Sequence, residues 1–161
     1  MKVKKMKRIA IKTLKKIRSH LTNQRETETL LLNQGKILEE LYSVKDAKIL
    51  SDYEWKVFSQ WGEDGIIQFL IREVLIKNKT FVEFGVEDFF ESNCRYLLMS
   101  SDWQGFVIDG STENIQRLQN SSFYWKHDLQ SLAAFVDKEN INELLRTPGF
   151  DQDLGILSID L

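Results

Sequence analysis

The stretch FVEFGVEDFFESN, residues 81–93, decides the fold. Phe81, Val82 and Phe84 around a single glutamate, Glu83, read as a short strand with apolar side chains on both faces. The run breaks at Gly85, and Glu87, Asp88 and Glu91 follow before helical spacing resumes in ESNCRYLLM. Strand, glycine turn and helix open a βαβ unit. A glycine turn ringed by carboxylates is an unusual way to open one, because such turns commonly receive phosphate.

Three further apolar runs follow: GFVIDG (105–110), SFYWKHD (122–128) and LGILSIDL (154–161). Helical patterns separate them: TENIQRLQ, then a longer stretch from Leu129 through ENINELLR to Thr147, with Pro148 and Gly149 punctuating the entry to the fourth strand. Upstream, FSQWGEDGIIQFLIREVLI places Ile67, Leu70, Ile71, Val74 and Leu75 on an amphipathic helix opened by Glu63 and Asp64. Strands alternating with helices predict an α/β chain: a doubly wound, mainly parallel, Rossmann-like sheet over 51–161.

The preceding residues differ in texture. Residues 1–18 hold nine Lys and Arg and no acid, leaving thirteen basic residues against twenty-four acidic ones in the rest, a net charge near −11. Val3, Met6, Ala10, Leu14, Ile17 and Leu21 recur at spacings of 3, 4, 4, 3 and 4, so residues 1–24 read as a basic amphipathic helix or tail. That pairing suits peripheral contact of residues 1–21 with an anionic membrane surface. A solvated helix, or docking on the acidic body, is the plainer alternative. Nucleic acid is disfavoured, since no aromatic interleaves the charges and the body is acidic. Residues 25–50 read as a helical spacer in which Leu30, Ile37 and Val44 are heptad-related, too short for a coiled coil but compatible with homo-oligomerisation. The single cysteine, Cys94, forms no intramolecular disulfide and reads as a small buried hydrophobe. With no run resembling a signal-peptide core or a membrane span, the expected setting is cytoplasmic, with membrane association as a variant.

In a doubly wound sheet, ligands lie beyond the carboxyl ends of the strands. On this reading those ends carry Glu83 and Gly85, Asp109, His127 and Asp128, and Asp160. For any one of these acids a helix cap or a solvated loop is the bland explanation. Gly85 followed by Asp109 raises a dinucleotide, or a nucleotide-sugar, as a ligand. The dinucleotide fingerprint needs glycine where Glu87 and Phe90 stand, and Glu87 and Asp88 repel phosphate. There is no GK[ST] phosphate loop, and His20 and His127 are too isolated for a zinc cluster, so no metal is expected. A nucleoside carrying positive charge and no phosphate fits better. S-adenosylmethionine (SAM) is such a ligand, its ribose suited to a carboxylate after the second strand and its adenine amino group to one after the third.

The run FVEFGVEDFFESNCRYLL followed by WQGFVIDGS, ENINELL and GILSIDL resembles the class I Rossmann-like methyltransferases, and in particular the FkbM-like ones, whose members often carry an SQ-GEDGI segment like residues 59–66. The resemblance covers roughly 58–161 and corresponds to strands one to four, in the order 3-2-1-4, of an N-terminal part of such a domain. It implies that Glu83 and Gly85 form the first cofactor motif, that Asp109 binds the ribose hydroxyls, and that Asp128 with His127 lies near adenine. Asp160 then stands close to the transferred methyl, as a base for a hydroxyl acceptor, with Glu63 or Asp64 as weaker candidates for lining the site. The implied activity is O-methylation of a sugar or other small molecule, the acceptor being a metabolite or a glycan. A non-catalytic module tethered to a membrane or partner by its N-terminal arm is the alternative of a different class. Many enzymes of this class keep a second glycine where this chain has Glu87 or Phe89.

Overall fold

The computed structural model describes residues 2–150 and 153–160, with side chains described at 11–13 and from Arg25 onward. Four strands form one all-parallel sheet in the order β3-β2-β1-β4: β1 (Thr80–Phe84), β2 (Gln104–Asp109), β3 (Leu129–Ala133) and β4 (Ile156–Ile159). β1 is central, with Val82 opposite Phe106 on one side and Leu157 on the other. The fold class expected from the alternation of strands and helices is the one observed.

Helices cover both faces. α2 (Glu63–Glu73), α3 (Arg95–Ser100) and α4 (Thr112–Gln119) lie on one side, where Phe81, Val107, Leu97, Leu98 and Leu118 share a core. α5 (Ile141–Arg146) covers the other, where Val82, Phe84, Phe106 and Ile108 meet Leu144. Alternation along β1 explains the division, because Phe81 and Val82 point to opposite faces of the pleat. β1, β2 and β3 are linked through helices on the first face and β3 reaches β4 through α5 on the second. The connection therefore changes face between β1 and β4, the switch point at which an open sheet leaves a crevice.

The N-terminal region is one uninterrupted helix, α1 (Lys2–Ser43), which joins the two segments that the sequence distinguishes and ends short of residue 50, the expected end of the helical spacer. Its C-terminal part packs Leu31, Leu32, Leu38 and Tyr42 against Trp55, Val57, Phe58 and Tyr96. Gly35 makes this possible, since a Cβ there would fall 2.4 Å from the Tyr96 ring. Leu30, Ile37 and Leu41 on α1, and Val44 just after it, are exposed. The stripe Val3, Met6, Ala10, Leu14, Ile17 and Leu21 lies outside the described side chains. Among the described residues no helix is long and apolar enough to cross a membrane.

The third strand departs from the sequence reading. Residues 122–128 are not a strand: Tyr124–Lys126 is a 3-10 turn, and β3 begins at Leu129, in the stretch expected to be helical. The aromatic run 123–125 reads as β-forming by propensity, but Phe123 packs as a plug against Phe89 and Arg95 instead. β3 is a half-exposed edge strand, which is why its polar Gln130 and Ser131 carry no strand signal.

Candidate functional site

At the carboxyl ends of the strands, a cavity of about 500 Å³ is lined by Phe84, Gly85, Glu87, Ile108, Asp109, Gly110, Ser111, Ala134, Phe135, Val136 and Asp160. It draws residues from the ends of all four strands. Three of them are carboxylates, and no Lys, Arg or His is among them. The field inside favours a cation and opposes a phosphate.

Asp109 closes β2 and is buried. Its Oδ2 accepts the Glu87 N–H at 2.8 Å and its Oδ1 accepts the Ser111 N–H at 2.8 Å, so one carboxylate ties the turn after β1 to the turn after β2. Asn114 Nδ2 adds a longer bond to Oδ1 at 3.4 Å, and since a carboxylate offers about four lone-pair positions, some acceptor capacity on Oδ2 is left toward the cavity. Ser111 caps α4 by accepting the Asn114 N–H.

Gly85 adopts φ 76°, and its N–H donates to the Ile108 carbonyl at 2.9 Å, holding the turn against the end of β2. Glu87 (φ 49°) and Phe89 (φ 64°) also adopt left-handed backbone. One or other of these positions holds the second glycine in many of the class I methyltransferases that the sequence resembles. The backbone takes the glycine-like conformation without the glycine, a cost that the surrounding structure has to offset.

Asp160 follows β4, is exposed, and lines the cavity, its N–H bonded to the Phe84 carbonyl at 3.1 Å. The structure thus brings Gly85, Asp109 and Asp160 together. Glu83 lies elsewhere. It faces the α3 side of β1, 1% exposed, where Oε2 accepts from Ser92 Oγ (2.6 Å) and Cys94 N (3.1 Å) and Oε1 accepts from Asn93 N (2.9 Å). It is an acceptor for the N–H groups that lead into α3. Burial pushes its carboxyl above the usual range, although those donors pull it down.

His127 and Asp128 are a correction. Because β3 starts at Leu129, they stand at its amino end, a strand's length from the cavity. The Asp128 carboxylate accepts from Gln104 Nε2 at 2.6 Å and its carbonyl accepts the Gly105 N–H, so it fastens the starts of β2 and β3. The His127 ring lies tilted against Phe123, centroids 4.7 Å apart, and burial, then Lys126, lowers its pKa. The place expected for Asp128 is occupied by Ala134, Phe135 and Val136. They form an apolar wall in which the exposed Phe135 ring lies so close to Gly110 that a Cβ there would meet it at 2.5 Å. The run LAAFVD holds the signal for this wall, a strand end followed by apolar residues.

Glu63 and Asp64 do not line the cavity either. Asp64, 1% exposed, accepts the N–H groups of Val57, Phe58 and Ser59 on Oδ2, and burial raises its pKa against those bonds. Burial also pushes Glu63 upward, but the N–H groups of Gly62, Glu63 and Trp61 outweigh it and leave its carboxyl below the usual range. Both brace the turn before α2. Among the described residues no group of three or more His, Cys, Asp and Glu is arranged to hold a metal ion. No protein-family model matches the chain, and no curated protein or solved structure matches it.

Proposed function

We propose that the cavity binds S-adenosylmethionine and that the domain is an FkbM-like class I methyltransferase acting on a hydroxyl of a sugar or another small acceptor. The observation that carries this reading is a carboxylate-lined, cation-free cavity at the switch point of a parallel sheet, with Asp109 at the end of its second strand. A volume of about 500 Å³ lies within the about 300–1,000 Å³ usual for cofactor-sized ligands. The donor set fits the group. Asp109 can accept from ribose hydroxyls, Ile108, Ala134, Phe135 and Val136 offer apolar surface to a purine, and Glu87 and Asp160 offer negative charge to an ammonium or a sulfonium. Glu83 acts indirectly, by holding the start of α3.

When bound, the cofactor supplies an electrophilic methyl group. The chain's own contribution is position and charge. The left-handed turn lets the backbone approach the ligand, the Asp109 bridge keeps the two turns in register, and Asp160 is placed at the mouth to take a proton from a hydroxyl acceptor. Dinucleotides are disfavoured by the same carboxylates. Titration calorimetry with SAM and with NAD tests the reading. Micromolar SAM affinity, on the order of −8 kcal/mol, is expected, and tighter binding of NAD than of SAM would overturn it.

A further inference from the structure

We propose that α1 is a positioning element of the cavity: Glu28, acting through Arg95, holds the left-handed turn 85–90 in the shape that frames the cavity mouth. The consequence for SAM rests on the reading above; the consequence for the turn does not.

Two non-glycine residues in left-handed backbone, Glu87 and Phe89, persist only where neighbours hold them. On the cavity side the Glu87 N–H is held by Asp109. On the far side the turn hangs on Arg95, whose Nη1 donates to the Phe90 carbonyl at 2.7 Å and the Phe89 carbonyl at 3.3 Å. Arg95 is 5% exposed, and its guanidinium lies over the rings of Phe58 (4.5 Å), Phe123 (5.1 Å) and Phe90 (5.4 Å).

A cation in such a setting needs a carboxylate. Among the described residues the one in contact is Glu28 on α1, with Oε1 3.0 Å from Nη2. Burial lowers the Arg95 pKa and Glu28 leads the charges that oppose it. Without Glu28, the guanidinium is driven toward water or toward Asp88 on the turn itself, and either movement gives up the carbonyls of residues 89 and 90. Glu28 is sixty-seven positions from Arg95 in the chain. The helix that carries it runs unbroken to Lys2, so whatever engages the N-terminal part of α1 is joined to the mouth of the cavity through one ion pair.

The test uses the full chain with Glu28→Gln, and with Glu26→Gln as an equal charge change at an exposed position of the same helix. Amide hydrogen exchange is read at Glu87 and Phe89, whose N–H groups bond to Asp109 and to the Val86 carbonyl. In Glu28→Gln these two amides should exchange about tenfold faster while those of β1 and β2 stay unchanged, the size usual for coupling between linked sites. SAM affinity should fall by a similar factor, and Glu26→Gln should change neither. Unchanged exchange in the turn, or acceleration spread equally through the strands, overturns the proposal. Localised acceleration in a chain that binds no SAM even as wild type leaves the clamp standing and removes the cofactor reading instead.

Discussion

Replacing Glu83 by alanine separates two roles that the sequence alone cannot distinguish. In the folded chain this carboxylate is the acceptor for the N–H groups of Asn93 and Cys94 and for the Ser92 hydroxyl. The hydroxyl can rotate to another partner; the two N–H groups cannot. Each buried donor left without an acceptor costs about 1–3 kcal/mol, and the missing side chain leaves a void beneath α3. Against this, alanine removes the desolvation of a carboxylate that burial already drives toward its neutral form. The balance is a loss of about 3 kcal/mol, a large share of the about 5–15 kcal/mol that holds a domain together. In urea unfolding followed by circular dichroism, with a slope of about 2 kcal/mol/M, the midpoint should fall by about 1.5 M. A midpoint within about 0.3 M of wild type, together with lost SAM binding, would show that Glu83 faces the ligand and would refute the placement described above.

Asp109→Ala should weaken SAM at least tenfold in calorimetry, since it removes a ligand acceptor and the bridge to Glu87, whereas His127→Ala at the opposite end of the sheet should leave the affinity unchanged. The cost of Glu83→Gln should shrink as pH rises: the folded carboxyl holds its proton to higher pH than the unfolded one, so its stabilising contribution is full below the ordinary carboxylate range and is lost as pH climbs through the raised value. Unfolding midpoints of both proteins at several pH values check this, and a cost that grows with pH contradicts it. Cys94, 0% exposed and with its thiol pushed well up by burial and then by Glu83, should resist alkylation until the domain unfolds, as thiol labelling against urea concentration will show.

What the sequence discloses tracks how strongly each element is constrained from both faces. β1 and β2 could be read because interior parallel strands covered by helices carry near-continuous apolar runs, β4 because its ILSI run is mostly apolar although it lies at an edge, and the parallel order followed from the intervening helices. β3 could not, because this edge strand carries Gln130 and Ser131 among its five residues, while Phe123, Tyr124 and Trp125 give a β-like composition to a turn in which Phe123 lies against Arg95. That one displacement moved His127 and Asp128 from one end of the sheet to the other and hid the Ala134–Phe135–Val136 wall. Gly85, Asp109 and Asp160 were legible because each lies at a strand end that hydrophobic patterning marks. The true partners of Glu83 and the contact between Glu28 and Arg95 were not, since pairings between distant residues leave no local period. The left-handed backbone at Glu87 and Phe89 was not legible either, because residues with side chains rarely signal it.

β4 leaves Leu157 and Ile159 43% and 57% exposed, on the sheet face that also carries Val82 and Phe84. Among the described residues nothing covers that stretch of β4, and Asp160 stands at an open flank of the cavity. Under the methyl transfer proposed above, an acceptor extended in length, such as one residue of a glycan chain, would reach that carboxylate sideways along an apolar ledge, with the remainder trailing into solvent.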